Sequence, residues 1–180
     1  MKLLLTITAQ ILKTSDNRYW VDSVYSYSYF QRYLSVFDNI KLITRVKSVE
    51  NIDTRQFTEL SGPNLEICAL PHYHGPWEYA KKISEIRKIV RNSIQDCNCA
   101  VLRIPDEISF RIAECCYKNQ IPFAVEVVSD SWDFFRPGTF KTILRPFLRL
   151  RWHIKQKNAC RKANCVSYVT DKYIQKITLL

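Results

Sequence analysis

The sequence predicts an α/β fold built on a doubly wound, mainly parallel sheet of about six strands. Three observations carry this. Short apolar runs recur along the 180 residues, several nearly continuous, as in strands buried on both faces. Stretches with helically spaced apolar positions separate them. A composition that is 47% hydrophobic in 180 residues allows one real core but not two ordinary domains.

Lys2 to Thr8 is the first strand. The apolar Met1–Ala9 segment is short, polar Gln10, Lys13, Ser15 and Asp16 follow, and no small-residue cleavage site does, so it is not a signal peptide. Gln10 to Asp22 is a polar loop holding Arg18, Tyr19 and Trp20. Tyr25 to Phe37 spaces Tyr29, Phe30, Tyr33, Leu34 and Phe37 as a helix does, and Asp38-Asn39 stops it. Ile40 to Val46 is strand two, Glu50 to Pro63 is irregular, and Asn64 to Leu70 is strand three, ending at Pro71, His72, Tyr73 and His74. Trp77 to Ile94 is a helix with an apolar stripe of Ile83, Ile86, Ile89, Val90 and Ile94. Cys99 to Ile104 is strand four, and Asp106 fits the N-cap of a helix from Glu107 to Asn119. Ile121 to Val128 is strand five, with Glu126 as its acidic interruption. Thr139 to Ala163 is helical, with Pro146 as a break or second start. Cys165 to Val169 is strand six, and Thr170 or Asp171 caps a last helix. This alternation is a single Rossmann-like layer, without internal repeat or linker.

In such sheets ligands sit outside the carboxyl ends of the strands. The segment after strand five, Ser129 to Gly138, places Asp130, Trp132, Asp133 and Arg136 there. The other reading is a surface loop with two helix-capping aspartates, Asp133 only capping a turn and Trp132 packing under the next helix. Arg103, at the end of strand four, holds a phosphate or carboxylate, or else pairs with Asp130 or Asp106. His72 and His74, after strand three, contact a polar or phosphate-bearing ligand, or are hydrogen-bonded loop histidines. A metal held by this pair needs further ligands that the sequence does not supply. Tyr19 and Trp20 line the cleft or belong to the core. Only three glycines occur and neither a dinucleotide fingerprint nor a Walker loop is present, so no cofactor is implied. Seven cysteines, an odd number without zinc-ribbon spacing, read as free thiols and imply no metal.

The net charge of +10 is local. From Phe134 to Thr170 there is no acidic residue but nine basic ones, leaving 27 − 9 = 18 basic against 17 acidic residues elsewhere. Three partners compete for this stretch. An anionic membrane surface suits Arg145, Arg149, Arg151, Lys155 and Lys157 interleaved with Phe140, Ile143, Leu144, Phe147, Leu148, Leu150, Trp152 and Ile154. Nucleic acid suits the charge, but no recognised motif accompanies it. The third is a solvated face whose apolar residues pack on the sheet. No apolar stretch reaches the roughly 20 residues that span a bilayer.

Several ordered signatures resemble a known family. They are Tyr33-Leu34 with Val36-Phe37-Asp38, Leu70-Pro71-His72-Tyr73 with Gly75-Pro76, and Leu102-Arg103-Ile104-Pro105. Glu126-Val127-Val128 with Asp130, Trp132 and Asp133, then Leu144-Arg145-Pro146 and Val166-Ser167-Tyr168-Val169-Thr170, complete the set. Together they resemble the N-terminal, acceptor-side domain of bacterial GT-B glycosyltransferases of the family-4 type, over nearly the whole chain. The resemblance implies half of a GT-B fold, residues 1–180 forming one domain that holds a glycan or lipid-linked acceptor. The nucleotide-sugar then belongs to a complementary C-terminal domain, which usually carries two glutamates eight apart; no pair in this chain has that spacing. A fragment, a truncated product or a split subunit, inactive alone, is what this implies, acting in cell-surface polysaccharide synthesis at the cytoplasmic face of the membrane. Members often carry glycine after strand one, where Gln10 to Asp16 has none. A non-catalytic membrane-surface or partner-binding α/β module is the alternative.

Overall fold

The computed structural model describes residues 1–22, 24–136, 138 and 143–169. It is a mixed α/β protein with mostly parallel strands. Two compact units divide it, residues 1–99 and 100–180.

The first unit is organised around β4 (Asn39–Ser48), whose Ile40, Leu42 and Ile43 are buried. β1 (Lys2–Thr6) and β2 (Ile11–Lys13) run parallel to successive stretches of it, and β6 (Leu65–Pro71) runs parallel to Ile40–Val46. Strands that pair with the same residues must take opposite edges, so β1 and β2 follow each other along one edge and β6 takes the other. The polar loop expected over Gln10–Asp22 is instead a hairpin. β3 (Tyr19–Val21) returns antiparallel to β2, and β5 (Thr58–Glu59) adds antiparallel to β3. These three short strands bring the number among the described residues to nine, against about six expected. Lys41 is buried in β4 because Asp96 and Glu66 neutralise it, the latter at 3.6 Å. Helix α1 (Tyr27–Leu34) is shorter than Tyr25–Phe37, bounded by Ser26 and Ser35, and buries Phe30. Helix α2 (Gly75–Ser93) starts two residues earlier than expected. Gly75 takes φ +67°, Pro76 follows in the first turn, and Ile86 and Val90 are buried.

In the second unit β7 (Cys99–Ile104), β8 (Phe123–Val127) and β9 (Cys165–Tyr168) are parallel, with β8 central. Helix α3 (Glu107–Lys118) begins as expected, Asp106 accepting from the N–H groups of Ile108 (2.9 Å) and Ser109 (3.1 Å). A short helix α4 (Ser131–Phe134) follows β8, and α5 (Arg145–Lys162) opens with Pro146 in its first turn. Pro146 is therefore a start and not a break. Trp152 of α5 stacks on Phe134 at 5.6 Å and meets Phe110 and Phe135 edge-on at 5.8 and 5.0 Å, which joins α3, α4 and α5. The expected segments 139–142 and 170–180, including the last helix, lie outside the described residues.

Candidate functional site

In the first unit, His72 follows β6 and His74 is the N-cap of α2. Their Nε2 atoms lie 2.9 Å apart with the rings nearly perpendicular, centroids 4.5 Å apart. One ring donates to the other, so the pair shares a proton. Lys82 Nζ donates to the His72 carbonyl. The N–H of His74 donates to Glu78 Oε2 at 2.7 Å, and this bond, with the nearby His74, Lys82 and His72, holds the Glu78 carboxyl below its usual range. Burial pushes the His72 imidazole down first, and the charges of His74, Lys47, Arg45 and Lys82 push it the same way.

Tyr19 and Trp20 are placed elsewhere in this unit, on β3. Trp20 is buried, donates from Nε1 to Thr14 Oγ1 at 3.1 Å and lies under Arg18. Tyr19 is half-buried beneath Lys13. Both side chains serve the hairpin.

In the second unit, Arg103 pairs with Glu126 at 3.2 Å. Parallel register sets this, because Arg103 and Glu126 are direct neighbours across β7 and β8. Asp130 lies three residues past β8 and caps α4, its Oδ1 accepting from the N–H of Trp132 at 3.0 Å. Its other oxygen, Oδ2, is buried with no hydrogen-bond partner, in a residue only 5% exposed. Such an atom costs about 1–3 kcal/mol until a donor reaches it. Trp132 is 41% exposed, but Arg149 lies over its ring at 3.9 Å and His153 meets it edge-on. Arg149 Nε also donates to the Trp132 carbonyl at 2.7 Å. Asp133 is exposed within α4.

Gln156 is the residue the sequence did not disclose. Buried on α5, it accepts from the N–H of Ser131 at 2.8 Å and from its hydroxyl, and donates to the Ser129 carbonyl at 3.2 Å. It thereby fixes the backbone on both sides of Asp130. The signal available was its position four residues after Trp152, on the same helix face.

The basic helix is only partly free to meet an outside anion. Arg151 and Lys155 reach the nearly buried Glu107 at 3.2 and 2.8 Å, beside Arg111 at 3.4 Å, and Arg149 is spent on Trp132. Arg145 and Lys157 are half-buried. On another face Ile143, Phe147, Leu150 and Ile154 form an exposed row spaced four, three and four apart, Ile143 being 98% and Phe147 64% exposed. No helix among the described residues is long and apolar enough to cross a membrane. All seven cysteines are free thiols, and no group of three or more potential metal ligands occurs among the described residues.

No family model matches the chain. It is similar to Protein CapJ of Staphylococcus aureus, with 30% identity over 176 residues, covering 97% of this chain and 43% of that protein. The chain thus spans less than half the length of this curated relative.

Proposed function

We propose that the chain is the acceptor-binding half of a glycosyltransferase, which moves a sugar from a nucleotide-sugar to a glycan or lipid-linked acceptor in cell-surface polysaccharide synthesis. The observation that carries the proposal is Asp130. A carboxylate oxygen at a strand end, desolvated and without a donor, is suited to accept a hydrogen bond from an acceptor hydroxyl. Gln156 and the α4 cap hold that carboxylate in one orientation, as an acceptor group must be held for transfer. The motif resemblance, the mostly parallel α/β fold and the similarity to a longer protein support the same reading. Charge on the departing diphosphate is met by a complementary domain, so these 180 residues transfer no sugar by themselves.

Saturation-transfer NMR of the purified chain against a panel of uncharged hexose and N-acetylhexosamine disaccharides tests this. Binding of at least one, weakened about tenfold in Asp130→Asn with the fold intact, is expected, a loss of about 1.4 kcal/mol. Silence across the whole panel overturns the acceptor role. Turnover of nucleotide-sugar by the isolated chain overturns the need for a second domain.

A second reading, a non-catalytic module docked on an anionic membrane, draws on the exposed row Ile143, Phe147, Leu150 and Ile154 beside the cations of α5. It predicts flotation of the chain with anionic vesicles and loss of flotation in Phe147→Ser/Leu150→Ser. Equal recovery with neutral vesicles removes the electrostatic part.

A further inference from the structure

We infer that the corner formed by His72, His74, Arg45, Lys47 and Lys82 is a proton-gated binding site for a phosphoryl group. The strands bring these side chains together. Arg45 pairs in register with Leu70, so alternation puts Arg45, Lys47, Leu70 and His72 on one face of the β4–β6 pair. Lys82 enters from α2, with its ammonium on the His72 carbonyl. The two imidazoles meet through their Nε2 atoms at 2.9 Å. Lys82 thus touches the pair, the charges of Arg45 and Lys47 act on the same imidazole, and the carboxylate beside it is Glu78, giving a balance of +2 before either ring takes a second proton.

This balance decides between two ligands that a histidine pair admits. Two converging Nε2 atoms can chelate a divalent metal, but the metal would enter a field already positive and find no third ligand group among the described residues. A phosphoryl oxyanion meets the opposite conditions, with two ammonium groups, a guanidinium and two ring N–H donors available. With one proton shared between the rings, the pair presents one donor to itself. A second proton on one ring leaves that Nε2–H···Nε2 bond in place and adds an outward N–H and a charge, and an anion stabilises that state. The groups that set the titration are Arg45 and Lys47 from β4, His74 from the connecting loop, and Glu78 and Lys82 from α2. Burial and these cations disfavour the second proton when the site is empty, so ligand and proton bind together.

The inference does not depend on the acceptor proposal, because no sugar transfer is measured. Imidazole resonances of the whole chain are followed by NMR during titration with inorganic pyrophosphate at pH 6 and pH 8. A parallel arm uses neutral vesicles with and without a prenyl diphosphate, which separates a soluble from a lipid-borne phosphoryl source. Binding is expected to draw one proton onto the pair, moving the His72 ring toward imidazolium, and to weaken about tenfold per pH unit above the His72 titration. His72→Gln and Lys82→Gln each weaken it several-fold, Glu78→Gln tightens it, and Arg161→Gln on α5 leaves it unchanged. Should His72→Gln not fold, His74→Gln reads the same loss. Affinity that is equal at both pH values, affinity lowered as much by Arg161→Gln, or zinc saturating the pair in preference to pyrophosphate would falsify the inference. Pyrophosphate bound without any disaccharide binding sinks the acceptor role alone, and the converse sinks this site alone.

Discussion

Replacing Glu107 by glutamine should destabilise the second unit more than any other single charge change. The carboxylate is nearly buried and meets Lys155 at 2.8 Å, Arg151 at 3.2 Å and Arg111 at 3.4 Å. At an effective dielectric of about 20, one such pair at about 3 Å is worth on the order of 5 kcal/mol before desolvation. Desolvation returns most of that. Arg151 is more than a third exposed and is screened, so Arg111 and Lys155, at 16% and 17% side-chain exposure, carry the effect. In the variant these two cations stay in place without the carboxylate that faced them, and the expected loss is about 3 kcal/mol. For a chain of this size that is a fall of roughly 6–12 °C in Tm. Circular dichroism melts and urea titrations at pH 7 measure it. A loss below about 0.5 kcal/mol, or one that disappears in about 1 M NaCl, would refute the claim that this cluster is shielded from solvent and anchors α5 on α3.

Trp152→Ala removes the ring shared by Phe110, Phe134 and Phe135 and should cost about 3 kcal/mol, the low end for a half-buried indole, with lost near-ultraviolet dichroism as the first sign. Gly62→Ala sets a methyl group 2.2 Å from the Tyr27 ring, whose hydroxyl donates to the Pro63 carbonyl at 2.9 Å. Displacing that ring should cost about 1–3 kcal/mol in a urea titration. Hydrogen bonds from Lys2 and Lys41 hold the Asp96 carboxyl down at about 2, against an ordinary 3.8. A depressed folded pKa stabilises above the unfolded value, so this contribution is present above pH 3.8 and lost as pH falls toward 2. Acid titration should show Asp96→Asn less stable than the parent at pH 6, with the difference closing at low pH.

What was legible in the chain follows from how local each signal is. β1 and β4 announce themselves because burial on both faces demands continuous apolar residues, β7 and β8 because every second residue is buried and apolar, and Asp106 because its cap is made with its own next three residues. The β2–β3 hairpin was hidden. Each strand has three residues, and the turn between them uses Asn17 at φ +64° where a glycine would have marked it. β5 has two residues and exists only because β3 offers an edge. The strand-end placement of His72 and His74 in the first unit, and of Asp130 in the second, came from alternation alone. The partner of Arg103 did not, because Glu126 becomes a neighbour only once β7 and β8 are in register. Gln156 resembled any polar residue of a surface helix until α4 was packed against it.

That glutamine has a mechanical consequence. It rides on the same helix as Phe147 and Leu150, about two turns away, and grips the main chain before and after Asp130. A shift or rotation of α5 must therefore drag Ser129 and Ser131 with it or break bonds in a dry interior. A ligand on the exterior of that cylinder that shifts it would change the aim of the carboxylate inside, and a molecule at the carboxylate that favours one helix position would bias the cylinder in return by an equal free energy.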